Sequence, residues 1–189
     1  MTALEMQEAP ARPAPLPIGA LGPSFEGLPA TDGRRLGSSD FAEDELVVLI
    51  FSSNRCPTAK AYGPRMNALQ KDFGPRGVRL VAINSNDPHL YPDEAQPRMV
   101  ERAAADGYTF PYLADHDQSV AAAYGATCTF HVFVLDRERR LRYQGRFDDS
   151  RIEANATHSD LRDAIDDLLA GRDVRVATTR PFGCSLDYV

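Results

Sequence analysis

Three cysteines, Cys56, Cys128 and Cys184, are the residues of this chain best suited to covalent chemistry. The surroundings of Cys56 single it out. It follows the apolar run Leu46-Val47-Val48-Leu49-Ile50-Phe51 across the short loop Ser52–Arg55, and Pro57 comes next. An apolar run bounded by polar residues is a buried central strand, and proline suits the first helical position, where no N–H is needed. A thiol at that junction receives N–H groups from the first helical turn and faces the positive end of the macrodipole. Arg55 and Lys60 add positive charge. Each of these lowers a thiol pKa from its reference of about 8.5, so Cys56 is expected to be a nucleophile. Cys128 reads equally well as a small buried hydrophobe, and Cys184 lies in an irregular tail. His131 offers a base or pH-sensitive partner, whereas His89, His116 and His158 read as surface residues. The acidic turn Asp148-Asp149 reads as solvated, and no metal is expected.

The elements that must position Cys56 follow from periodicity. Ala59, Tyr62, Met66, Leu69 and Phe73 alternate at spacings of three and four, the stripe of a helix that Gly74-Pro75 ends and Pro64 is expected to kink. Residues 77–84 form the next strand, and 84–93 a polar loop in which Asn84, Asn86 and Asp87 shape the strand's carboxyl end. A helix is expected over 94–105 with Met99, Val100 and Ala103 inward. A short strand at 110–113 and a short helix at 118–124 follow. Residues 131–136 and 141–145 look like an antiparallel pair, and Leu161, Ala164, Ile165, Leu168 and Leu169 mark a last helix ended by Gly171. Ahead of the first strand, Asp32-Gly33 predicts a hairpin turn. The expected fold class is α/β, a central mixed β-sheet flanked by helices with an N-terminal hairpin extension. The chain divides into a Pro/Ala-rich leader (1–24), extended or disordered, one domain (25–171), and a carboxy-terminal tail (172–189) packed on or near it.

Several segments resemble a known group. Phe51-Ser52-Ser53-Asn54-Arg55-Cys56-Pro57 with Lys60-Ala61-Tyr62 is similar to the active-site segment of thioredoxin-like and peroxiredoxin-like proteins of the alkyl hydroperoxide reductase/thiol-specific antioxidant (redoxin) superfamily. So are Val81–Asp87, Phe110–Asp115, Ala123–Thr129, Tyr143–Ser150 and Gly183-Cys184-Ser185, which together span roughly residues 25 to 188. The resemblance implies the thioredoxin fold and a redox role for Cys56. Relatives often carry Cys-x-x-Cys at this junction. Here Ser53 takes the first position, which leaves the Ser-x-x-Cys pattern of peroxiredoxins, in which the hydroxyl orients the peroxide. The proline usual ahead of that pattern is Leu49. Phe130 stands where the fold usually has a cis-proline, beside Thr129 and His131, and His131 replaces an acidic residue. A cis bond before a non-proline costs about 2.5–4 kcal/mol, so Thr129–Phe130 is expected to be trans. At Phe130 the peroxide-binding arginine of peroxiredoxins is also missing, and Arg55 or Arg146 would have to replace it.

The expectation is a thiol-dependent oxidoreductase in which Cys56 reduces a peroxide, Ser53 and Arg55 orient it, and Cys128, Cys184 or an external thiol resolves the oxidised enzyme. Pro57, Thr129, Phe130 and His131 would line the site, with the phenyl ring of Phe130 narrowing the approach. No bound cofactor is needed. The alternative is a non-catalytic binding module of the same fold that has lost the Cys-x-x-Cys and the cis-proline. Net charge −6 and a pI near 5.2 argue against nucleic acid and an anionic membrane surface as partners. No apolar run reaches the ~20 residues of a membrane span, and residues 1–23 lack the pattern of a secretory signal. Three widely spaced cysteines suit a reducing cytosol better than a disulfide scaffold. The expected partners are a small peroxide or thiol substrate and a thiol reductant, with a homodimer left open.

Overall fold

Every residue of Leu46–Ser52 is buried, as an apolar run without alternation requires of a strand covered on both faces. The computed structural model describes residues 13–188; residues 1–12 of the leader and Val189 of the tail lie outside the described residues. Around Asp32-Gly33, β1 (Leu28–Pro29) and β2 (Arg35–Leu36) form the hairpin, with Leu28 opposite Leu36. Then come β3 (Leu46–Ser52), α1 (Pro57–Phe73), β4 (Val78–Asn84), α2 (Gln96–Ala105), β5 (Tyr112–Ala114) and α3 (Ser119–Tyr124). The last elements are β6 (Val132–Leu135), β7 (Leu141–Gly145) and α4 (Asp160–Leu169). Among the described residues the main sheet has the order β5-β4-β3-β6-β7. β4 runs parallel to β3 and β5, whereas β6 pairs antiparallel with β3 and β7. This mixed sheet with helices on both faces is the thioredoxin fold.

The period-two alternation of β3 sorts the core. Leu46, Val48 and Ile50 face α1, α2 and α4, where Tyr62, Met66, Leu69, Met99 and Ile165 are buried. Val47, Leu49 and Phe51 face α3 and the hairpin, with Tyr124, Phe133 and Leu36. Helix α1 continues through Pro64 to Phe73, and a 3-10 turn over Gly74–Arg76 leads to Gly77 at φ 83°. α2 begins two residues later than expected, after a 3-10 turn at Pro92–Glu94, and Val100 faces solvent rather than the core. The described part of the leader has no helix and turns at residues 18–20. Its N–H groups at Leu16, Gly19 and Gly22 donate to the carbonyls of Tyr124, Leu141 and Arg139. The tail packs back as well: Arg172 and Arg175 pair with Asp167, the Thr179 N–H donates to the Gln144 carbonyl, and the Gln144 N–H donates to the Ala177 carbonyl.

The acidic turn is not solvated throughout. Asp148 is buried and pairs with the buried Arg65 of α1 at 2.6 Å. Arg65 also donates to the carbonyls of Ser150 and Arg151, and its guanidinium lies 3.6 Å from the Tyr62 ring centroid. Two acidic residues adjacent in sequence thus differ: Asp148 anchors a loop to α1, and Asp149 holds Thr157 and His158 at the surface.

Candidate active site

Cys56 is the N-cap residue of α1. Its φ of −62° and ψ of 121° are the extended values that a following proline enforces, so the chain leaves β3, turns at residues 53–56 and enters the helix with the sulfur over the first turn. The thiol is buried, 2% exposed, at one wall of a polar cavity of about 300 Å³ whose other walls include Arg55, Asn86, Tyr91, Thr129 and Cys184. Burial alone would push the thiol pKa up. Hydrogen bonds outweigh it: the Cys184 thiol, the Thr129 hydroxyl and the N–H groups of Ala59 and Cys184 all favour the thiolate and bring Cys56 to about 7. The Thr129 Oγ1 to Cys56 Sγ distance is 3.0 Å. Cys184 moves the other way, to about 11, because burial and the neighbouring thiolate both disfavour a second charge. Of the two thiols, Cys56 is thus the more readily ionised and Cys184 the one that keeps its proton.

A buried carboxylate holds the turn. Glu94, 1% exposed, accepts hydrogen bonds from the Ser53 hydroxyl at 2.5 Å, the Asn54 N–H at 2.7 Å and the Asn84 side-chain amide at 2.9 Å. Ser53 Oγ in turn accepts the N–H groups of Arg55 and Cys56. From α2, Arg102 donates to the carbonyls of Asn54 and Ala59. The strand end, the 92–94 turn and α2 thus clamp the loop that presents Cys56.

The Redoxin family model matches residues 17–165. The chain belongs to the Redoxin family. A solved structure of a hypothetical protein from Sinorhizobium meliloti 1021 superposes with a TM-score of 0.86 at 38% identity, covering 93% of this chain and 97% of that one. The thiol-disulfide oxidoreductase ResA of Geobacillus thermodenitrificans is 26% identical over 66% of this redoxin and 67% of its own length. A Mycobacterium tuberculosis protein named as a peroxiredoxin is 29% identical over 57% of this chain and 63% of its own. The chain thus spans about two thirds of these curated relatives. The redoxin match ends before the tail that carries Cys184.

Within this redoxin the expected site residues separate. Cys56, Ser53, Arg55, Pro57, Thr129 and Cys184 share the cavity. Ser53, however, has committed its proton to Glu94, and the hydroxyl aimed at the sulfur is that of Thr129. Arg55 stacks on Tyr91, 4.1 Å from the ring centroid, and the contacts that hold the Cys56 thiolate come from Thr129, Cys184 and α1 instead. Lys60 is exposed on the helix and Arg146 is engaged with Asp160, so neither lines the cavity. Cys128 is buried in the bridge to Ser185, outside the cavity lining.

The backbone before β6 matches one expectation and, through a left-handed residue and the alternation that follows it, corrects two others about where Phe130 and His131 point. The Thr129–Phe130 peptide is trans, and Phe130 has φ 65°. That backbone turns its ring away from the cavity mouth into the core, 4.4 Å from Tyr62 in a stacked arrangement. Phe130 supports α1 from below rather than narrowing the approach. His131 points to the opposite face of the sheet, where its Nδ1 accepts the Thr127 N–H and its ring lies against Phe133. Burial lowers its pKa to about 4, so it is neutral and remote from Cys56. Glu94 and Tyr91 are the site residues that local pattern does not single out. The signal available was the length of the polar 84–93 loop at a strand's carboxyl end.

Proposed function

We propose that this redoxin is a thiol peroxidase acting on small hydroperoxides. The Cys56 thiolate attacks the terminal peroxide oxygen, the O–O bond breaks, and the alkoxide leaves and takes a proton from solvent. Cys56 becomes a sulfenic acid. The Cys184 thiol then attacks that sulfur, water leaves, and a Cys56–Cys184 disulfide forms. An external thiol reductant returns both thiols to the reduced state. The observation that carries this reading is that Cys56 and Cys184 share one cavity, with the Thr129 hydroxyl 3.0 Å from the Cys56 sulfur and Cys56 the more readily ionised of the two. The relatives named as thiol-disulfide oxidoreductase and peroxiredoxin support thiol redox chemistry in general. The cavity size favours a small substrate. A reactive thiolate in an open cavity weighs against a non-catalytic binding module.

The test is hydrogen peroxide consumption with a thiol reductant, read beside mass spectrometry of the three cysteines. Wild type is expected to consume peroxide and form the Cys56–Cys184 disulfide, and Cys184→Ser to accumulate a sulfenic acid at Cys56 that dimedone traps. Cys56→Ser is expected to be inactive. A Cys56 that peroxide leaves unmodified would overturn the peroxidase reading.

A further inference from the structure

Between α3 and β6, residues 128–129 present backbone N–H and C=O groups beside the Cys56 sulfur. Such an edge pairs with any extended chain that reaches it. In this redoxin the chain's own tail fills it. Cys128 and Ser185 form an antiparallel bridge, and the Thr129 N–H donates to the Cys184 carbonyl at 2.8 Å. The Cys184 N–H donates to Thr129 Oγ1 at 2.9 Å. Gly183 permits this approach, since a Cβ there would stand 1.9 Å from the Thr129 carbonyl oxygen. The result is an extended segment, paired through its backbone, that lays a cysteine on the nucleophile.

The hold is local. Gly183, Cys184, Ser185 and Asp187 are exposed, and Leu186 is the side chain of the segment that is buried. Further ties include the Asp187 carbonyl accepting from Gln118, the Asp187 carboxylate accepting from Tyr91, and the Tyr188 hydroxyl donating to the Ala126 carbonyl. A segment tied by a single bridge, side-chain hydrogen bonds and the packing of Leu186 and Tyr188 opens more readily than the continuous sheet it lies on.

We propose that residues 183–188 are a displaceable stand-in for an extended cysteine-bearing polypeptide, and that Gly183 sets how readily such a polypeptide gains the edge beside Cys56. This rests on Cys56 being the reactive thiol. It assigns the protein's exchange partner to a chemical class, a chain with a cysteine in an extended stretch, and makes the tail the gate against it. Small oxidants enter the cavity without displacing the tail.

The probe is a short peptide whose single cysteine is blocked as its mixed disulfide with thionitrobenzoate. Cys56 forms a disulfide with the peptide sulfur as the peptide–thionitrobenzoate bond breaks, and the coloured thiolate leaves with the electron pair. Rates are compared with those for the free reagent dithiobis(nitrobenzoate), in a Cys128→Ser/Cys184→Ser background where Cys56 is the remaining thiol. Adding Gly183→Ala, or ending the chain after Phe182, is expected to raise the ratio of peptide rate to small-reagent rate at least ~10-fold, about 1.4 kcal/mol of easier access. An unchanged ratio in both variants would overturn the gate. Amide exchange on the unmodified full chain is a second measurement independent of those variants: protection of the Thr129 N–H is expected, and its absence would also overturn it. The ratio does not depend on how reactive the thiol is. A Cys56 no faster than a model thiol toward the small reagent would instead sink the peroxidase reading while the ratio still reports on the tail.

Discussion

The ionisation of Cys56 is decided by one hydroxyl, one thiol and two backbone N–H groups rather than by nearby arginine or lysine. Hydrogen bonds to a charged group contribute roughly 1.5–3 kcal/mol each, which is enough to reverse a partial burial penalty. Thr129→Val keeps the shape and removes the donor 3.0 Å from the sulfur. The alkylation midpoint of Cys56 is expected to rise from near 7 by about one pH unit, measured as iodoacetamide rate against pH. No rise would show that Thr129 does not hold the thiolate. His131 belongs to this scale too. Its folded pKa of about 4 lies below the ordinary 6.5, so the unfolded chain binds a proton first as pH falls. Its contribution to stability is complete above 6.5 and is lost as the pH drops towards 4. In urea unfolding, wild type is expected to lose about 3 kcal/mol more than His131→Leu over that interval. Parallel curves for the two proteins would contradict the buried neutral imidazole.

At the scale of elements, the site depends on how β6 begins and how α1 is supported. Phe130 enters β6 at φ 65°, gives its N–H to the Phe51 carbonyl at 2.5 Å, and stacks beneath Tyr62. Proline fits none of these: its φ is fixed near −65°, it has no N–H, and it lacks the ring. Phe130→Pro is expected to destabilise the protein by about 3 kcal/mol or more, seen as a lower urea midpoint. A variant as stable as wild type would mean that this loop tolerates the proline usual in the fold. The backbone that places Thr129 against Cys56 is therefore built around phenylalanine here. The same column continues upward, where Tyr62 meets Arg65 and Arg65 meets Asp148, so α1 is fixed from the sheet below and from the 148–151 loop at once.

On the scale of the whole molecule, described segments near both ends of the chain lie over the sheet. The leader covers the face opposite Cys56, where Leu21, Phe25, Val47, Leu49, Tyr124 and Leu135 line an apolar cavity of about 250 Å³. Its hold includes the Tyr124 hydroxyl on the Pro23 carbonyl and the Gln144 amide on the Leu16 carbonyl. Removing residues 1–24 is expected to cost more than about 2 kcal/mol of stability and to expose this apolar surface, detected by a lower thermal midpoint and increased binding of a hydrophobic dye. An unchanged midpoint would show the leader to be ornamental to the fold. Residues 184–185 of the tail lie over the Cys56 face, paired with residues 128–129.

The sequence by itself determined most of the elements and pointed to the cysteine at the helix start. The β3 run, the α1 stripe and Pro57 are local patterns, and a cysteine between them has a defined place relative to a helix end whatever the rest of the chain does. The hairpin at Asp32-Gly33 was legible for the same reason, since turn chemistry is local. What only the tertiary structure decided are contacts between residues far apart in the chain. Glu94 reaches Ser53 across 41 positions and Thr129 reaches Cys56 across 73, and neither spacing has a sequence period. The directions of Phe130 and His131 were likewise hidden, because a single left-handed residue before β6 sets which side chain meets which face. Cys184 is the clearest case: its segment has no periodicity, and backbone pairing to residues 128–129, permitted by the absence of a side chain at Gly183, is what lays it on Cys56.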